Sequence, residues 1–161
     1  FNLQNVRIMK YNHFLEHLEL REGNEECVYL DTLGKPTCGV GHLLTERERK
    51  FYQVGDEVSE EQRNAWLEQD AAMAWEAAAQ QMQDLRIEDT DFIVALGSVN
   101  FQLGTRWMNK FPSAYRALAS KDYAEAIRQV STGSGKDGQS KWKEQTPVRV
   151  EDFVLAIDKL T

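Results

Sequence analysis

From Ser59 to Leu85 the chain runs without a glycine or proline, and apolar side chains recur at helical spacing: Trp66, Leu67, Met73, Ala74, Ala77, Ala78, Met82 and Leu85. Ser59 followed three residues later by Gln62 is a capping box, with Val58 in the staple position before it. The pattern predicts a helix of about seven turns. Met and Ala at that spacing fit packing against other helices. So long an element is the natural connector between whatever folds before it and whatever folds after it.

Upstream, Ile8, Tyr11, Phe14, Leu15 and Leu18 form a helical stripe that ends at Gly23, a residue suited to the left-handed C′ position. Cys27-Val28-Tyr29-Leu30 then reads as a strand, and Thr37 to Gly41 as its hairpin partner. Gly34 supplies the positive φ of the connecting loop, while Pro36 restricts its strand to a short or edge position. Downstream, Thr90 or Asp91 caps a helix through Phe92, Leu96 and Asn100 that stops near Gly104. Pro112 and Asp122 open two more helices. The stretch from Ser131 to Ser140 is Gly- and Ser-rich and reads as a flexible loop. Pro147 starts the last helix, striped by Val150, Phe153, Val154, Ile157 and Leu160. The fold class expected is α+β and mainly helical: a small β-hairpin lobe (12–58), the connecting helix (59–85) and a larger helical lobe (86–161), with residues 1–11 packed on it.

Charge narrows the function classes. The chain carries 26 acidic and 19 basic side chains among 161 residues, a net charge of −7, which argues against a nucleic-acid or anionic-membrane binder. Residues 101–161 nevertheless carry 10 basic against 7 acidic side chains, so that part can meet an anionic polymer such as cell wall. No apolar run approaches the roughly 18 residues of a membrane span. No basic and then apolar leader is visible. The sequence begins at Phe1 without an initiator Met, and a processed chain or a piece of a larger protein is expected. Cys27 and Cys38 flank the hairpin. One bridge between them is geometrically conceivable, and a pair of buried thiols is the preferred reading.

The stretch from Glu22 to His42 is the densest in candidate chemistry. Glu22 stands at a helix end, Asp31 on the first hairpin arm and Thr37 on the second. A three-residue loop around Gly34 would set Asp31 and Thr37 face to face. Two carboxylates are the equipment for glycosidic cleavage, one giving a proton to the leaving oxygen and the other handling water or the developing cation. The partial negative charge of a helix C-terminus disfavours an ionised Glu22, which suits a proton donor; Asp31 on a wet hairpin rim suits the ionised partner.

The run Leu20-Arg21-Glu22-Gly23, Tyr29-Leu30-Asp31-Thr32 and Thr37-Cys38-Gly39-Val40-Gly41-His42-Leu43-Leu44 resembles the active-site segment of the phage-type lysozymes, endolysins that hydrolyse peptidoglycan. Further matches follow in order: Glu68-Gln69-Asp70, Phe101-Gln102-Leu103-Gly104, and Lys141 to Arg149 with its Trp-Gln-Thr-Pro-x-Arg pattern. The resemblance implies one lysozyme-like domain over 1–161, two lobes with a cleft between them. It implies a muramidase that cleaves the β-1,4 bond between N-acetylmuramic acid and N-acetylglucosamine with inversion.

Carried over residue by residue, Glu22 is the general acid, and Asp31 and Thr37 hold and activate the water. Arg149 steadies Glu22. Leu43, Phe101, Gln102 and Gln129 line the saccharide site. His42 and Asp70 form an ion pair that ties the hairpin to the long helix. No cofactor or metal is expected. The partner is bacterial peptidoglycan, met by a monomer in the periplasm, and the setting is a free endolysin, a domain of a phage tail protein or a secreted effector with an immunity protein.

Three rival readings remain, one of them, the transglycosylase, within glycan cleavage. A non-catalytic wall-binding module would keep the cleft without turnover, and a lytic transglycosylase would use the Glu alone. His13-Phe14-Leu15-Glu16-His17 also fits a zinc peptidase pattern, with two His on one helical face, although two surface histidines on an amphipathic helix explain it as well.

Overall fold

The computed structural model describes residues 3–161, with side chains described from Ile8 onward. Ten regular elements follow in chain order: α1 (Leu3–Glu22), β1 (Glu25–Leu30), β2 (Pro36–Gly39), β3 (His42–Leu43), α2 (Glu60–Leu85), α3 (Phe92–Leu103), α4 (Pro112–Ala119), α5 (Tyr123–Ser131), α6 (Lys141–Gln145) and α7 (Pro147–Asp158). They divide into two compact units. One is Leu15–Met73; the other is Ala74–Thr161 together with α1 as far as Phe14. The mainly helical α+β class stands.

Local chemistry sets the boundaries. The backbone N–H of Gln62 donates to Ser59 Oγ at 3.1 Å, which starts α2 at the expected capping box. The staple does not form. Its partner position is Arg63, and Val58 instead joins Trp66, Val28, Cys38 and Leu44 in the small unit's core. Asp122 caps α5 by accepting from the Glu125 N–H at 3.2 Å, and Pro112 and Pro147 occupy first-turn positions of α4 and α7. Asp91 precedes α3 without capping it, because its carboxylate is taken by Lys10.

The sheet has the order β1-β2-β3, all antiparallel. Its register corrects one expectation. Thr37 lies opposite Tyr29, and the Asp31 N–H donates to Lys35 O at 2.9 Å. The loop is Thr32-Leu33-Gly34 with Gly34 as its last residue at φ +77°, so the arms are offset from a pairing of Asp31 with Thr37. Pro36 sits at the first position of the middle strand, where its missing N–H costs least.

The helical unit is built around Trp107, Phe92, Phe153, Leu96, Leu118 and Ile157, with Phe153 within 6.1 Å of three other aromatic rings. Phe14 docks on Gly97 of α3, where a Cβ would stand 2.9 Å from its ring. The stretch from Ser131 to Ser140 is a hydrogen-bonded turn rather than a slack loop. Thr132 pairs with Gln139, and Ser140 both bonds Val130 O at 2.6 Å and caps α6 through the Lys143 N–H at 3.0 Å. The thiols are unpaired: Cys38 is buried but Cys27 is exposed, since β1 turns that side chain to solvent.

Candidate active site

Several candidate residues of the Leu15–Met73 unit share one face of the sheet. Directly paired residues of antiparallel strands share a face. The register Tyr29↔Thr37↔Leu43 therefore puts these three side chains in one row. Asp31, two residues beyond Tyr29, falls on the same side by the pleat. Val28 and Cys38 point the other way, into the core. Along that row Thr37 is buried at 5 % exposure and Leu43 is open at 49 %.

Asp31 is fixed by its own loop. Its Oδ1 accepts the N–H of Leu33 at 2.9 Å and of Lys35 at 2.8 Å, an Asx-type turn that Gly34 permits. Thr37 Oγ1 donates to Lys35 O at 3.0 Å, so hydroxyl and carboxylate are anchored on the same loop residue.

Glu22 is the last residue of α1, where Gly23 at φ +74° ends the helix with its N–H on Glu19 O. Its carboxylate lies against the turn between β2 and β3. A Cβ added to Gly41 would meet Glu22 Oε2 at 2.6 Å. Gly41 has φ +60°, so both backbone and space demand glycine there. The Gly39-Val40-Gly41-His42 motif thus makes the seat for this carboxylate.

Tyr29 was not among the residues singled out from sequence. Burial raises the pKa of its phenol, and the charges of Glu22, Glu25 and Asp31 push it further. It therefore stands within electrostatic reach of Glu22 and Asp31 together. Strand alternation, Tyr29 two residues before Asp31, was the signal that could have found it.

His42, paired with Cys38, is buried on the other, core side of the sheet. Its Nδ1 meets Asp70 Oδ2 at 2.6 Å, its Nε2 meets Glu48 Oε1 at 2.8 Å, and its ring stacks on Trp66 at 4.4 Å. Burial works to lower the histidine pKa, but the bonds and charges of Asp70 and Glu48 outweigh it and the net shift is upward. Glu48 is also held low: burial opposes this, and the Thr45 N–H together with His42 overcomes it. The expected pair is thus a triad. Thr45 and Glu48 bond reciprocally (2.8 and 3.2 Å), a second capping box legible as T-x-x-E that sequence reading passed over.

The remaining candidates belong to the helical unit. Arg149 is buried and donates through Nη2 to Ser98 Oγ at 2.8 Å and Ser98 O at 3.2 Å. Gln102 accepts from Trp142 Nε1 at 2.9 Å and donates to Thr146 Oγ1 at 3.0 Å, so both ends of its amide join helices. Gln129 donates to Glu125 Oε1 at 2.8 Å, and Phe101 is half-buried on α3. His13 and Glu16 are exposed on α1, and among the described residues no three His, Cys, Asp or Glu side chains are grouped to hold a metal ion.

Comparison with known proteins brings the same segments together. The phage lysozyme family model matches residues 19–145. The probable T4-type lysozyme 2 of Dictyostelium discoideum is 26% identical over 152 residues, covering 82% of this chain and 85% of that protein. The probable T4-type lysozyme 1 of the same organism is 26% identical over 161 residues, covering 88% and 91%. The pre-baseplate central spike protein Gp5 of Enterobacteria phage T4 is 25% identical over 161 residues, and there the match covers 88% of this chain but 27% of the longer protein. This chain belongs to the phage lysozyme family and is a glycoside hydrolase of the muramidase type, acting on the peptidoglycan of the cell wall.

Proposed function

We propose that residues 1–161 work as one lysozyme-like domain that cleaves the β-1,4 bond between N-acetylmuramic acid and N-acetylglucosamine with inversion. Glu22 gives its proton to the glycosidic oxygen as the bond breaks. Asp31 and Thr37 hold a water molecule and draw off its proton as it attacks the anomeric carbon from the opposite face. Both loop amides bond the same oxygen of Asp31, so the other oxygen is left to take the water's proton. The observation that supports this reading is the placing of Thr37 opposite Tyr29 with Asp31 two residues on, while the Glu22 carboxylate lies against Gly41 in the turn that follows the strand of Thr37. Leu43, next in the row, offers an apolar edge to a sugar ring. On the helical unit Phe101 and Gln129 retain part-exposed surface for saccharide, whereas Gln102 serves chiefly to tie α3 to α6.

The wall polymer is met in the bacterial periplasm. Similarity to part of a phage spike protein supports delivery within a larger parent protein or assembly. Mass analysis of products released from purified Gram-negative peptidoglycan tests the reading, with Glu22→Gln run alongside. Reducing, non-anhydro disaccharide-peptides are expected from the wild type, and a loss of about 10³-fold or more from the variant. Wild-type rates in the variant would remove Glu22 as the acid, and anhydro products would mean transglycosylation.

A further inference from the structure

A groove lies in the Leu15–Met73 unit, and none of Tyr29, Asp31, Thr37 or Leu43 lines it. It is open, encloses about 500 Å³, and is lined by Arg47, Glu48, Phe51, Tyr52, Gln62 and Trp66 among others. That volume is in the range of small-ligand sites. We infer that this groove is an accessory saccharide site, holding a peptidoglycan strand away from the bond being cut.

The lining has the chemistry such a ligand asks for. Phe51 is 73 % exposed at the rim, a bare ring on which the C–H face of a sugar can stack. Tyr52 meets Trp66 edge-on at 5.6 Å, so the aromatic wall is rigid before any ligand arrives. Behind that wall Trp66 is backed by His42, itself fixed by Glu48 and Asp70. The guanidinium of Arg47 and the side-chain amide of Gln62 form no hydrogen bond or ion pair among the described residues, and both are planar groups suited to hydroxyl, acetamido and carboxylate partners.

Charge favours the same occupant. The unit is acidic overall, yet three of its six Lys and Arg side chains, Arg47, Arg49 and Lys50, fall in the short stretch before Phe51, interleaved with Glu46 and Glu48, and Arg47 lines the groove. Peptidoglycan carries carboxylates on its peptide stems, and in the lining the Glu48 carboxylate is bonded to His42 while the Arg47 guanidinium is left to meet them.

This inference rests on the muramidase reading, and the test separates the two. Binding of the Glu22→Gln protein to purified sacculi is compared with and without the added Arg47→Ala/Phe51→Ala pair; turnover of a short soluble glycan fragment is compared in the Glu22 background. The exposed pair is expected to weaken sacculus binding about tenfold while soluble turnover and Tm stay at wild-type values. Unchanged sacculus binding overturns the accessory site, as does an equal fall in soluble turnover, which would place these residues at the cleavage site. If the wild type fails to cleave either substrate, it is the muramidase reading that fails.

Discussion

In the helical unit the buried polar side chains answer one another. Gln81 bonds Asn100 in both directions (2.9 and 2.8 Å) and accepts from Trp107 at 3.0 Å. Gln102 joins Trp142 to Thr146, and Arg149 joins Ser98. In the Leu15–Met73 unit Asp31 and Thr37 are held by backbone instead, through loop amides and a carbonyl, and the Glu22 carboxylate lies close against Gly41. The clusters around Phe153 and around Val28 differ in size as well, with sixteen and five buried hydrophobic residues among those described. Polar groups locked to each other add specificity to a large core. Positioned by the main chain, Asp31 keeps its second oxygen and Thr37 the lone pairs of its hydroxyl available for a water or a substrate. Stability and chemistry are thus assigned to different parts of the fold, and mutations should separate them.

The largest stability effect belongs to the helical core. Phe153 contacts Phe92, Trp107 and Trp142, and truncation to Ala leaves a cavity among rings with little freedom to close. A loss of about 4 kcal/mol is expected in denaturant unfolding. A loss below about 1 kcal/mol would mean that this core repacks easily, and the contrast between the units would weaken.

Gly41→Ala reverses the balance. An L side chain at φ +60° costs about 1–2 kcal/mol, and its methyl would displace the Glu22 carboxylate. Misplacing a proton donor by an ångström can cost about a hundredfold in rate. The expected result is an activity loss far larger than the stability loss implies. Activity that merely tracks the folded fraction would show that the seat at Gly41 has no catalytic meaning.

His42→Asn tests the polar cluster of His42, Glu48 and Asp70 in the small unit, with an expected cost of about 2 kcal/mol where both charges are present. The sign follows from two shifts. The histidine pKa is raised above its ordinary 6.5, so its stabilisation is full below 6.5 and is lost as pH rises through the folded value. Glu48 is lowered from its ordinary 4.5, so its share is full above 4.5 and is lost as pH falls through the folded value. The difference in Tm between wild type and variant should therefore be widest between about pH 4.5 and 6.5 and narrow on both sides. A difference that is flat with pH would sink the charged triad.

What could be read from the chain was local. Ser59, Asp122, Pro112 and Pro147 act within a few residues of themselves, and their roles were legible as helix signals. Asp91 misled because the cation that claims its carboxylate, Lys10, lies 81 residues away. The hairpin register turned on whether Gly34 sits in the middle of the loop or at its end, a choice of one residue that composition does not encode. Alternation likewise placed Tyr29 beside Asp31 in principle, but the charges that make it notable come from three separate residues. The turn from Ser131 to Ser140 looked slack because glycine and serine suit both disorder and tight hydrogen bonding; the Ser140 hydroxyl, used twice, decides between them.

The smallest stability effect is expected at Glu125, and it sharpens the comparison most finely. Its carboxyl is pushed down to about 2 by bonds from Arg128 and Gln129, yet the Arg128 pair is a surface pair, and such pairs add little stability. Glu125→Gln should leave Tm at the wild-type value. It also weakens the anchor of Gln129, the one saccharide-contact candidate of the helical unit held by a charged neighbour. If Gln129 touches substrate, KM for peptidoglycan should rise a few-fold with Tm unmoved, and restoring the carboxylate with Asp should recover only part of it, since the shorter side chain falls short of the amide. An unchanged KM would leave Gln129 as a surface residue, and saccharide recognition on this unit would rest on Phe101 alone.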